Sequence, residues 1–199
     1  MKKKFITLMA TTVLVAAMIS GCGSNETDDR TTDEVQTQQS SETTGMVHLE
    51  SPEDVNAFFE ELYQGVDSNI LPSGISTMEL DLQDIDTLTY NTGIADTTGI
   101  DAVYVSESMI GSVAYSAVYI RTTDDADAKG IMQTVMDNVN PAKWICVTAQ
   151  KQIASTFGND VFFVMGAEET ADAVYAQAKS CAEAKSMTVS EAVEKVNAQ

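Results

Sequence analysis

The chain has 199 residues, with 30 acidic against 11 basic ones and a formal net charge of −19. A hydrophobic share of 44% is that of a globular protein, and 3 prolines with 11 glycines are too few for a collagen-like or linker-dominated chain. So negative a surface repels duplexes and polyanionic membrane faces, which excludes nucleic acid as a partner.

The N-terminus reads as an export signal. Lys2, Lys3 and Lys4 form a positive start, Phe5 to Ile19 an apolar run, and Ser20-Gly21 a small-residue site before Cys22. The run is short of the roughly 20 residues that span a membrane. Ile19-Ser20-Gly21-Cys22 resembles the bacterial lipobox. That resemblance implies a diacylglycerol on the Cys22 thiol and cleavage between Gly21 and Cys22. The small residues let the chain enter the peptidase, and the thiol is the acylated nucleophile. The expectation is a protein held on the extracytoplasmic face of the cell membrane by a lipid anchor on Cys22. Losing the three lysines leaves 8 basic against 30 acidic residues, a formal −22.

Residues 22–50 change composition. From Gly23 onward, Val35 is the only aliphatic residue before Met46 in a run of Thr, Gln, Ser and acids. Such a stretch buries too little apolar surface to offset its chain entropy, and reads as a disordered acidic tether. The expected domain is residues 51–199.

Ser51-Pro52-Glu53-Asp54 starts a helix, and Val55, Phe58, Phe59, Leu62, Tyr63 and Val66 form its apolar stripe. Met78 to Tyr90 fits a strand by Met78, Leu80 and Leu82, or a helical turn by Leu82, Ile85 and Leu88. Ala102–Val105 and Val113–Ile120 read as strands. Thr123 caps a second helix with Asp124, Asp125 and Asp127 in its first turn. Its stripe is Ala128, Ile131, Met132, Val135, Met136 and Val139, stopped by Asn140-Pro141. Expected sheet partners of that stripe are Val118, Ile120, Ile145, Val147, Phe162 and Val164. Trp144–Val147 reads as a buried strand, and residues 152–165 as a hairpin turning at Phe157-Gly158-Asn159. A long Ala-rich helix follows from about Glu168 to Lys185. Thr188-Val189-Ser190-Glu191 reads as the capping box of a last short helix. The sum is α+β: one domain, a mostly antiparallel sheet of four or five strands, helices on one face.

Several segments resemble a family of small Gram-positive bacterial lipoproteins of unknown function. They are Ser106-Glu107-Ser108-Met109, the Ala114–Arg121 segment AYSAVYIR, the segment around Trp144 that reads NPAKWICV, and Gly158-Asn159-Asp160-Val161. The resemblance spans roughly residues 100 to 166. It implies a shared fold and an extracytoplasmic location. It implies no activity, so it carries over no catalytic residue.

Chemistry-bearing residues are sparse. His48 is the only histidine and falls in the tether, so triad catalysis and the common zinc sites lack a ligand or base in the folded part. No P-loop, nucleophile elbow or dinucleotide fingerprint is present. Two acidic clusters, Asp81/Asp84/Asp86 and Asp124/Asp125/Asp127, lack the glycine and distant glutamate of a calcium loop. The second reads as a helix-start charge pattern. Cys146 and Cys181 form either a disulfide or two buried thiols. Met132, Met136 and Met165 read as core fillers. Trp144, the only tryptophan, is either a core aromatic or an exposed anchor for a protein or cell-wall partner.

The expectation is therefore no cofactor, no metal and no catalytic residue. The role is a non-enzymatic binding or interaction module, with an accessory component of an envelope assembly or an enzyme with a carboxylate site as alternatives.

Overall fold

The computed structural model describes residues 48–197. The export signal, Gly21, Cys22 and the tether up to residue 47 lie outside the described residues. Helix α1 (Pro52–Gly65) begins after the expected Ser51 cap, which proves to be reciprocal. Ser51 Oγ accepts from Asp54 N at 3.2 Å and the Asp54 carboxylate from Ser51 N at 3.1 Å. Val55, Phe58, Phe59 and Leu62 are buried on one stripe. The ambiguous segment becomes both of its readings in turn: strand β1 (Ile75–Leu80), then helix α2 (Ile85–Thr92), capped by Asp84. Gly93 ends α2 with φ of 75°, and a Cβ there would lie 2.5 Å from Val139 N, so glycine is needed for both backbone and space.

The remaining elements are β2 (Ile100–Ser108), β3 (Ser116–Thr122), α3 (Ala128–Asn138), β4 (Lys151–Phe157), β5 (Asp160–Gly166), α4 (Glu168–Ala184) and β6 (Val193–Val196). All six strands form one antiparallel sheet in the order β1-β2-β3-β5-β4-β6. The class is α+β, as expected, with one strand more than the upper expectation.

The helices do not share a face. On β3, Ala117 and Tyr119 join the core under α1 and α4, whereas Val118 and Ile120 join a second core under α3. On β5, Phe162 and Val164 belong to the first core, and Val161, Phe163 and Met165 to the second. The inner strands are buried on both sides, so their apolar residues run on without alternation. The expectation of one-sided helices is corrected. The β5 partners of α3 are accordingly Val161, Phe163 and Met165, not Phe162 and Val164.

Other boundaries move. Helix α3 starts at Ala128 with Asp127, not Thr123, as its cap. Strand β3 starts at Ser116, three residues after the expected point. Trp144–Val147 is no strand but part of the loop between α3 and β4, with Ile145 79% exposed. Residues 188–196 are no helix. Ser190 Oγ accepts from Thr156 N at 2.9 Å, Val189 bridges to Phe157, and β6 pairs with β4. The open edge of β4 needs backbone partners, and this segment supplies them instead of capping a helix. The fold also begins earlier than residue 51, because Leu49 is buried in the α1/α4 core and His48 is bonded to the sheet.

Candidate functional site

The α3–β4 loop is built around an interior lysine. Lys143 has no side-chain exposure and pairs with Glu107 of β2. Its Nζ donates to Asn91 Oδ1 at 2.9 Å and approaches Ser116 Oγ at 3.5 Å. The rings of Tyr90 and Trp144 each stand 5.3 Å from the same nitrogen, within cation–π range. The Tyr90 hydroxyl donates to the Lys143 carbonyl at 2.8 Å, and Ala149 N closes the loop onto Pro141 O at 2.8 Å. Burial pushes the Lys143 ammonium below its ordinary range, and the Glu107 carboxylate opposes that shift.

This peg fixes what the loop displays. Trp144 is half-buried against the α3-side core. Ile145 and Tyr90 are 79% and 53% exposed beside it. Exposed Met78, opposite Val105 in the register, lies on the same sheet face. The sequence-predicted Trp144 is thus a loop anchor with one side covered, neither a strand residue nor a free-standing aromatic. Its supports, Lys143 and Tyr90, went unrecognised, because a lysine in a Pro-containing segment reads as solvent-facing.

On the other face, a cleft of about 780 Å³ opens between α1, the 66–74 loop and β1. Two of its lining residues, Tyr63 and Thr77, bond hydroxyls buried behind the lining, those of Ser106 and Tyr115. Tyr63 bonds Ser106 at 2.7 Å and Tyr115 at 2.9 Å, and Thr77 bonds Ser106 at 2.8 Å. Burial raises the Tyr63 hydroxyl to about 12, despite these bonds.

His48, placed in the tether by its sequence context, belongs to the fold. Its Nδ1 donates to Asp160 at 2.8 Å, and its Nε2 lies 3.1 Å from Asp124. Asp160 is fully buried and also accepts from Leu49 N at 3.1 Å, Tyr119 OH at 2.8 Å and Thr122 N at 3.0 Å. Nδ1 on a buried carboxylate is the supporting half of a triad, but Nε2 faces a carboxylate and not a hydroxyl or thiol. The set fastens the start of the fold to the β3–β5 end of the sheet.

Four of the six residues in the acidic clusters are spent on local turns, and Asp124 faces His48. Asp81 accepts from Gln83 N and Asp84 from Thr87 N. Asp125 accepts from the Thr123 hydroxyl and Asp127 from Gly130 N. The hydroxyl and amide of Thr87 hold Asp84 below the usual carboxylate range. Among the described residues no group of three His, Cys, Asp or Glu is placed to hold a metal ion, and no helix is long and apolar enough to cross a membrane. Cys146 and Cys181 are free thiols. Cys146 is exposed on the loop with a left-handed φ of 63°, and Cys181 is buried in the α1/α4 core across the sheet. Met132, Met136 and Met165 fill the α3-side core. No protein-family model matches the chain, and no curated protein or solved structure matches it significantly.

Proposed function

We propose that this protein is a lipid-anchored, extracytoplasmic, non-enzymatic binding module that engages a protein or cell-wall partner through the Tyr90–Trp144–Ile145 surface. One observation carries the reading. Exposed apolar side chains are held in fixed positions by a buried, ion-paired lysine, which is costly to build for a loop without a task. An aromatic anchor with rim apolar groups and a preorganised backbone is the usual centre of an interaction surface. The lipobox and the resemblance to Gram-positive lipoproteins support the proposed location.

Two variants test it. Cys22→Ala should lose labelling by a fatty-acid tracer and leave the membrane fraction; unchanged labelling would refute the anchor. The pair Tyr90→Ser with Ile145→Ser should keep the wild-type circular dichroism and lose co-purification of cross-linked partners. Undiminished partner recovery by this folded variant would refute the surface.

A further inference from the structure

We infer that the cleft between α1 and β1 is a binding site for a small organic cation with an apolar body, such as an arylalkylamine. This site lies across the sheet from the Trp144 surface and stands independently of the function proposed for that surface.

The cleft follows from three local patterns. Asn56, Phe59, Glu60 and Tyr63 recur at helical spacing and turn one face of α1 towards it. Ile75 and Thr77 alternate on β1 and turn the same strand face towards it. Leu71 and Pro72 close the third side. Because β1 is an edge strand, the sheet ends here and the helix layer does not close over it. Phe59, Leu71, Pro72 and Ile75 make an apolar wall suited to a ring or short alkyl body.

The polar groups select the charge. No Lys, Arg or His lines the cleft, and Glu60 at its rim has no ion pair among the described residues. Lys185, which approaches the outer face of α1, is committed to Glu61 at 2.6 Å. Helix α1 ends beside the cleft with no basic residue in its last turn, so the negative end of its dipole is uncompensated there. An anion would find no formal positive charge here, whereas an ammonium would find the Glu60 carboxylate and the negative end of the α1 dipole.

The floor adds hydrogen bonding. Tyr115, Tyr63, Ser106 and Thr77 form a chain of four hydroxyls joined by three hydrogen bonds, which leaves one hydroxyl hydrogen over. Thr77 and Tyr63 both donate to Ser106, and Tyr115 donates to Tyr63, so the hydrogen left over belongs to Ser106. Thr77 Oγ1, a cleft-lining atom, keeps its lone pairs and can accept from an ammonium without an internal bond being broken.

The test uses the whole chain from residue 22, kept unacylated by Cys22→Ser, and amide and methyl NMR shifts. Benzylamine, benzyl alcohol and benzoate are the probes. Benzylamine should produce saturable shifts at Phe59, Tyr63 and Ile75, and benzoate should leave them in place. Glu60→Gln should weaken benzylamine about threefold, the scale of one exposed charge contact. Glu53→Gln, on the same helix outside the cleft, should not. Thr77→Val should weaken it too while preserving the edge strand. Absence of saturation at these residues, equal affinity for benzyl alcohol or benzoate, or an equal loss in Glu53→Gln would overturn the assignment. Shifts confined to Tyr90 and Trp144 would overturn it as well and leave the partner surface intact.

Discussion

Lys143 and Asp160 are the two residues whose burial is hardest to justify by composition, and each has a fixed answer in its partners. Lys143 is satisfied by Glu107, Asn91 and two aromatic rings. Removing only the counter-charge, by Glu107→Gln, should cost about 3–5 kcal/mol in urea unfolding, because an ammonium is left without its carboxylate in the interior. Lys143→Met, which removes the charge with the stem retained, should cost far less. The pH dependence has a definite sign. The folded state holds the ammonium less readily than the unfolded chain, whose value is the ordinary 10.5. Below the folded value both states are charged, and the fold bears the cost of burial. As pH rises through it towards 10.5, the folded state sheds its proton first and that cost falls away. Stability of the wild type relative to Lys143→Met should therefore rise across the alkaline window below 10.5. A flat difference would mean that Glu107 fully offsets burial. Neither residue was legible beforehand. Hydropathy assigns lysine and aspartate to the surface, and only the fold brings Glu107 to one and His48, Tyr119 and the Leu49 amide to the other.

At the scale of elements, periodicity and turn residues placed most helices and strands, but they did not say how many faces of each were buried. The stripes of α1 and α4 and the β4–β5 hairpin were readable because each had a clean repeat and clear ends at Pro52, Gly158 and Gly166. Strand β4 reads as polar, with Lys151, Gln152, Ser155 and Thr156, yet every residue is buried between β5 and β6. The apolar string Trp144–Val147 reads as a strand, yet it is a loop pinned by its neighbour Lys143. The start of α3 was misplaced because three aspartates at 124, 125 and 127 all fit a first turn, and only bonding singles out Asp127. Two comparisons follow. Val135→Ala should destabilise by about 1.5–3 kcal/mol, since Val135 is fully buried. Ile131→Ala should cost less, since Ile131 is only partly covered. Asp127→Ala should cost about 1 kcal/mol as a lost cap, and Asp125→Ala close to nothing. Equal effects at 125 and 127 would return the helix start to Thr123. A chain beginning at Ser51 should be less stable than one beginning at Met46. It loses Leu49 from the core and two of the bonds to Asp160, and denaturant midpoints of the two chains measure this directly.

For the whole molecule, one antiparallel sheet separates two cores and two surfaces. The α+β class was legible because helices and strands alternate in blocks. The two-sided layering was not, since order along the chain does not say which face each helix takes. That layering puts the Tyr90–Trp144–Ile145 surface with the α3-side core and the Tyr63 cleft with the α1/α4 core. On the proposed function, the lipobox segment would hold the chain at the membrane and the exposed loop would engage a partner there. The most direct measurement is site-specific photocrosslinking in intact cells, with a benzophenone side chain at Ile145 and, as control, at exposed Glu183 on α4. The account predicts discrete, reproducible adducts from position 145 that disappear with Tyr90→Ser, and none from position 183. Adducts of equal yield from both positions, or none from 145, would contradict it.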